Sequence, residues 1–371
     1  MAQRQFRSDD TSNWLYGFGN GSGGAYSSAG NATDAPIDAS CSGTATQATL
    51  SASNVSFASG QLILIHQTRG TGVGNWELNR IESYNTGTIT LSHALINTYT
   101  DSGASQAQVI VMPQYSSFTQ NSGHTLTAKA WTGDVGGIVA FFCSGTTTVT
   151  GSLTALGKGR AGGAGNSSGG TGVQGEGTSG TGSANTAQNS GGGGGGLNGN
   201  GGGGGYITGG VGITGDGGTG NAGSAPGAGS LVTQCYLGSG GGGGGHSTQG
   251  TNGGIGGGLF FIFTKDLVVT GTLNDNGGNS ANSTYRAGGA GSGGGVLIKC
   301  QTATLGTNLI TSSGGTGGTS EGGNRGGAGS VGRIHMDYKT SYTGTTTPTI
   351  DVTQDTTLND VSSSNMFFAL L

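Results

Sequence analysis

The chain has 371 residues, of which 87 are glycine, 31% are hydrophobic and 8% are charged, with a formal net charge of −4. The low charge excludes ordinary charge-driven disorder, which needs self-repulsion to stay open. It also gives no reason to expect nucleic acid or an anionic membrane surface as a partner.

Thr, Ser and Asn dominate the polar residues and only four prolines occur, a composition that favours strands and turns over helices. Residues 1–50 read as a turn-rich lead with one aromatic knot, Trp14, Leu15, Tyr16 and Phe18. No apolar stretch follows Met1, so no secretory signal is expected. No run reaches membrane-spanning length, so no membrane insertion is expected.

Residues 51–135 carry the most conventional patterns. The run 61–66 (QLILIH) reads as a buried strand, 76–82 (WELNRIE) as a half-buried strand, and 88–92 (TITLS) as another. The run 109–113 (VIVMP) ends at a proline that closes pairing, and 124–128 (HTLTA) follows. These predict four to six antiparallel strands around a small core.

From residue 136 a repeat emerges. GGIVAFFC at 136–143 leads to TVTGSLT at 148–154 and GGAG at 162–165. GGLFFIF at 257–263 leads to VVTGTLN at 268–274 and GGAG at 288–291. GGVLIKC at 294–300 leads to TLGTNL at 304–309 and GGAG at 326–329, and VGRIHMD at 331–337 opens a last copy. This alignment sets Leu259, Val296 and Arg333 at equal steps of 37 residues. A fixed period of this size marks stacked units that bury one another's faces. Each unit reads as strand, turn, short strand and glycine-rich excursion, with the excursions leaving on one side.

Between residues 161 and 258 lie 45 glycines, two carboxylates (Glu176 and Asp216) and no Lys or Arg. Such a stretch has no side-chain core. Glycine backbones approach one another as closely as hydrogen bonding allows, and three-residue-per-turn extended helices leave every N–H and C=O free to pair with neighbours. Ordered, polyglycine-II-like packing anchored on the flanking strands is therefore expected. The fold class is all-β: a small antiparallel β domain (51–135), then a glycine-rich β repeat (136–340, a solenoid or layered sandwich) with a long glycine insertion at 161–258, then a Thr-rich tail at 341–371.

No catalytic signature stands out. Residues 154–160 (TALGKGR) lack phosphate-loop spacing. The cluster at 274–279 (NDNGGN) reads as an Asx turn, with calcium as the sharper alternative. Cys41, Cys143, Cys235 and Cys300 lie far apart and read as buried thiols, with disulfides as the alternative. The five histidines show no metal-ligand spacing, so no metal and no cofactor are expected. Glycoside hydrolysis needs two neighbouring carboxylates; Glu176, Asp216, Asp266, Asp275, Glu321 and Asp337 form no cluster in sequence.

The large side chains inside the glycine segment, Tyr206, Ile207, Tyr236, Leu237 and His246, are the candidate binding residues, because aromatics on a rigid backbone contact sugars or proteins well. The alternative is that they pin the glycine layer to its scaffold. At the other end, Phe367, Phe368, Leu370 and Leu371 form an apolar terminus. Together with Trp14, Leu15, Tyr16 and Phe18 it is the candidate for self-assembly by docking or strand addition.

Residues 4–21, 65–78 (IHQTRGTGVGNWEL), 95–100 (LINTYT) and the glycine runs resemble glycine-rich phage tail-fibre adhesins and related bacterial glycine-rich surface proteins. The resemblance implies a non-enzymatic virion or extracellular protein, homo-oligomeric, whose glycine helices form a sandwich and whose distal loops bind a host-surface glycan or protein. A self-assembling filament or surface-layer subunit is the second reading, and a tailspike-like polysaccharide hydrolase the third.

Overall fold

The structure is a computed structural model that describes residues 17–180, 190–208, 210–211, 220–226, 231, 233–320 and 323–358. It is all-β, and no helix among the described residues is long and apolar enough to cross a membrane. The strands are β1 (Ala25–Ser27), β2 (Ala32–Thr33), β3 (Asp38–Ser42), β4 (Thr49–Ala52), β5 (Leu62–Arg69), β6 (Trp76–Asn85), β7 (Thr88–Leu91), β8 (Gln106–Val111) and β9 (Gln114–Tyr115). They continue as β10 (Ser117–Gln120), β11 (Thr125–Thr127), β12 (Ile138–Val149), β13 (Ser152–Thr154), β14 (Leu259–Val269), β15 (Thr272–Asn274), β16 (Gly295–Thr311), β17 (Arg333–Thr347) and β18 (Asp351–Gln354).

Strands β3 to β8 close into an antiparallel barrel in the order β3-β4-β7-β6-β5-β8. The barrel therefore starts inside the expected lead and ends at Val111. The segment 114–127, expected to be part of the antiparallel domain, pairs in parallel with the second sheet instead: Phe118 with Thr147, and Leu126 with Leu153. Alternation along a strand reports which side is buried, not the direction of its neighbour, so the sequence pattern serves either ladder.

Strand β5 explains its own continuous apolar run. Ile63 and Ile65 point into the barrel beside Leu50, Ile81, Ile89 and Val109. Leu62 and Leu64 point outward, with Trp76 and Ile110, onto Phe142, Phe261 and Phe263 of the second sheet. Trp76 meets Phe261 edge to face at 5.1 Å between centroids.

The second sheet is parallel and curled, with twelve strands among the described residues. The repeat units lie side by side in it: Ile138 beside Leu259, and Leu153 beside Leu273. Its two faces bury different sets. Val139, Phe141, Phe260, Ile262, Val296, Ile298, Ile334 and Met336 line the inner core, closed by Leu126, Leu153, Leu273 and Ile310 across the curl. The alternate residues face the barrel.

One register differs from the sequence alignment. Phe260 pairs with Val296 and Val296 with Ile334, steps of 36 and 38 residues rather than two steps of 37. Because side chains alternate, a one-residue slip would turn each apolar set to the wrong face. Burial sets the register, and it draws the small Gly295 into line with Leu259 and Arg333. Strand β17 also runs through Thr347, across the expected boundary at 340.

The glycine segments connect these strands as hydrogen-bonded rods. The six consecutive nitrogens of residues 240–245 donate in turn to Glu176, Gly254, Gly202, Val173, Thr251 and Gly199. Every third nitrogen therefore reaches the same neighbouring segment. The carbonyls of the same six residues accept from Gly192, Gly163, Gly289, Gly195, Asn166 and Gly199. One rod thus sits among backbone on all sides.

None of the glycines at 191–205 or 238–258 has a positive φ, so left-handed freedom is not what they supply. What matters is the missing Cβ: an added one would lie 1.9 Å from a backbone oxygen at Gly240 and at Gly242. Fixing each residue costs roughly 1–2 kcal/mol, and each hydrogen bond returns about 1 kcal/mol net. The rods are therefore stable only as a lattice anchored on the strands that flank them.

Candidate functional site

Each rod leaves one strand of the parallel sheet, turns, and returns to the next. β13 leads out and the return enters β14; β15 leads out and the return enters β16; β16 leads out and the return enters β17. The turns at 166–170, 196–199, 246–250 and 281–286 and, among the described residues, 319–320 with 323–325 are consequently brought together. Gly169 donates to the His246 carbonyl, Gly250 bridges Arg286, Arg286 Nε donates to the Asn198 carbonyl, and Ser283 N donates to Thr319 O.

The centre of this surface is His246 stacked on Tyr285, ring centroids 4.4 Å apart and planes 12° off parallel. His246 Nδ1 accepts from Thr248 N at 3.0 Å and from Gln249 N at 3.4 Å. Gln249 Oε1 accepts from Thr284 N at 3.1 Å, and Asn166 Oδ1 from Ser168 N at 2.9 Å. Ser167, Ser168, Leu197, Ser247, Thr248 and Gln249 are exposed around the ring pair. The result is an aromatic face bordered by hydroxyls and amides, on backbone that the lattice holds rigid.

The sequence-selected binding residues separate into two groups. Tyr206, Tyr236 and Leu237 are buried, with the two tyrosine rings edge to face at 6.1 Å. These three join the glycine rods to the sheet and the barrel. Ile207 is 37% exposed and His246 is half-buried at the turns. Tyr285 and Arg286 lie outside the long insertion, and Gln249, though inside it, is not one of its large apolar or aromatic groups. For Tyr285 and Arg286 the signal was positional: both sit near the midpoint of the excursion between β15 and β16. Of the assembly set, Phe18 is buried; Trp14, Leu15, Tyr16, Phe367, Phe368, Leu370 and Leu371 lie outside the described residues.

The cluster at 274–279 forms an Asx turn, with Asn276 N donating to Asn274 Oδ1 at 3.0 Å. No group of three metal-ligating side chains occurs among the described residues. All four cysteines are buried and none is in a disulfide.

Buried charges hold the seam between barrel, sheet and lattice. Arg160 is fully buried, donating to the Leu237 carbonyl and, at 2.6 Å, to the Thr68 carbonyl. Burial pulls it down to about 10. Glu176 accepts from Arg69 Nη1 at 2.7 Å, Trp131 Nε1 at 3.1 Å and Ala161 N at 3.0 Å. His66 spans Thr68 Oγ1 and the Cys235 carbonyl, both at 2.9 Å.

Among the described residues, the acids considered for glycoside cleavage each have their own partners. Glu176 is at the seam, Asp266 accepts from Thr302, and Asp275 is buried, where desolvation pushes it well above the ordinary carboxylate range. Asp337 contacts Lys299 and His335. Asp216 and Glu321 lie outside the described residues.

No protein-family model matches the chain, and no curated protein matches it. Among solved structures, it is similar to the Gp54 tailspike of Acinetobacter baumannii bacteriophage AP22, solved in complex with a capsular saccharide of A. baumannii, at 8% identity and a TM-score of 0.21 over 87% of this chain. The chain spans 58% of that tailspike. It is also similar to the tailspike protein gp49 of Pseudomonas phage LKA1, at 11% identity and a TM-score of 0.20, covering 89% of this chain and 67% of that one.

Proposed function

We propose that this chain is a phage tail component of the adhesive kind, whose glycine lattice is a rigid stalk for a host-contacting surface. The observation that carries the reading is the convergence of five turns around the His246–Tyr285 stack. Rods of polyglycine-II type are stiff, because their backbone groups are paired with neighbouring rods or with side chains that replace them. Turns on such rods lose little entropy on binding. Stacked rings with adjacent hydroxyls and amides suit a sugar face or a protein loop. The strand-and-rod units correspond to a solenoid-like repeat, and the barrel is its lateral cap. The reading extends to a homo-oligomer in the virion tail, joined through the apolar terminal residues.

The experiment uses the fluorescently labelled chain, intact bacterial cells and purified capsular polysaccharide. Cell binding should fall at least tenfold in a His246→Ala/Tyr285→Ala variant whose unfolding temperature matches the parent. Unchanged binding by that variant would sink the reading. A fall in polysaccharide viscosity on incubation with the parent chain would favour a cleaving tailspike instead.

A further inference from the structure

The last two units of the repeat are joined by a buried pair that the adhesive reading does not use. Lys299 on β16 and Asp337 on β17 are register partners in the parallel ladder, so their side chains leave the same face of the sheet. Their exposures are both 5%. Lys299 Nζ is in direct contact with Asp337 Oδ2. On the opposite side of Lys299 the register partner is Phe263, which is 1% exposed. The amine and the carboxyl therefore meet beside an aromatic wall.

Asp337 has a second partner. His335, two residues earlier on the same strand and face, places Nε2 at 2.9 Å from Asp337 Oδ1. Its Nδ1 lies 3.0 Å from Asp351 Oδ2 on β18. Asp351 is half exposed and also accepts from Arg333 Nη2 at 2.9 Å. A proton route thus runs from solvent through Asp351 and His335 to one carboxyl oxygen, while the amine touches the other.

We propose that Lys299 and Asp337 form an intramolecular isopeptide bond, with His335 as the proton-transfer catalyst and Asp351 positioning it. Burial pushes the Asp337 carboxyl toward its neutral form, but His335 and Lys299 outweigh it and hold Asp337 below the ordinary carboxylate range, so the pair rests charged and becomes an amine and an acid by transient exchange of one proton. The Nζ lone pair then attacks Asp337 Cγ, forming the C–N bond. His335 lends a proton to Oδ1 as it becomes the leaving oxygen and recovers one from the nitrogen. One C–O bond breaks and one water departs, carrying two of the three ammonium hydrogens; the third stays on the amide. No oxidant, metal or activated donor is needed. The bond would fasten the strand beside the short edge strand β18, the part of a parallel stack with the fewest neighbours to hold it.

The test is intact-mass spectrometry of the full chain after folding, followed by proteolytic mapping. The proposal expects a mass one water below the sequence mass and a branched peptide joining the segments around Lys299 and Asp337. Lys299→Arg should restore the full mass. His335→Gln, which keeps both reactants, should slow the water loss at least tenfold. A parent chain at full mass overturns the proposal. So does a water loss that persists in Lys299→Arg, since succinimide formation at an Asp–Gly step such as Asp216–Gly217 also removes one water. If Lys299→Arg does not fold, the branched peptide in the parent decides: its presence supports the bond and its absence refutes it.

Discussion

Asn279 Oδ1 accepts a hydrogen bond from the backbone nitrogen of Thr316 at 2.7 Å. The same contact occurs three residues earlier, from Ser313 N to Asn276 Oδ1 at 2.6 Å, and three residues later, from Thr319 N to Asn282 Oδ1 at 2.9 Å. Backbone bonds run in parallel with them, from Gly277 to Ser313, Ser280 to Thr316 and Ser283 to Thr319. The three-residue interval is that of an extended helix with three residues per turn. Where no further rod is present to accept these nitrogens, the asparagine side chains do so.

Replacing Asn279 by Ala should therefore cost about 1 kcal/mol. The triple alanine variant at 276, 279 and 282 should cost roughly 2–3 kcal/mol by the same principle, read as a lowered denaturation midpoint. Asn279→Asp keeps the acceptor and should stay near the parent. Equal loss in the alanine and aspartate variants would show that the carbonyl oxygen is not the group that matters.

Gly242 is the sharpest test of the lattice. A Cβ there would lie 1.9 Å from the Gly193 carbonyl oxygen, and backbone cannot rotate away as a side chain can. Gly242→Ala should destabilise by about 3 kcal/mol or more, with amide exchange accelerating at residues 192–202 as well as at 242. Gly30 has no atom within 4 Å of an added Cβ, so Gly30→Ala should be close to neutral. Similar behaviour of the two variants would mean that the rods are not packed backbone to backbone.

Phe261 links barrel to sheet. It is fully buried, meets Trp76 at 5.1 Å, and packs on the face that Leu62 and Leu64 cover. Phe261→Ala should cost roughly 3–5 kcal/mol. Loss of the near-ultraviolet signal of Trp76 should coincide with loss of sheet structure in one transition. Two separate transitions in the parent would show that barrel and sheet unfold independently.

Acid stability has two opposing contributions. Burial, outweighing the hydrogen bond to the Cys235 carbonyl, holds His66 down to about 4. Its contribution is complete above the ordinary histidine value and is lost as the pH falls toward 4, because the unfolded chain takes the proton first. Burial raises Asp34 to about 6. Its contribution is complete below the ordinary aspartate value and is lost as the pH rises toward 6. Each is worth roughly 3 kcal/mol, so these two nearly cancel, and Asp275, also raised by burial, leaves the parent losing stability as the pH rises across the window. His66→Gln should lose stability more steeply than the parent as the pH rises from 4 to 6. Asp34→Asn should lose less than the parent over the same rise. Guanidinium midpoints across the window read both slopes, and identical slopes in the two variants would contradict the assignment.

How much of this was legible in the sequence differs from place to place. The continuous apolar runs at 61–66, 138–143 and 259–263 determined strands buried on both faces, because a short unbroken run leaves neither side of a pleated strand for water. The repeat pointed to the runs at 138–143 and 259–263 lying side by side, and the glycine runs pointed to backbone packing, although Leu231, Cys235 and Leu237 of the same segment join the core beneath the barrel. The tip was half legible: His246 stood out as a large group among glycines, whereas Tyr285 looked like an ordinary loop residue. Tertiary structure alone decided that 114–127 pairs in parallel, since both ladder types accept the same alternation. It also decided the one-residue shift at Val296, where burial of two faces at once outweighs an even period. Above all, it decided which rod neighbours which: glycine carries no side chain to encode a partner, so the lattice takes its order from the strands that anchor each rod.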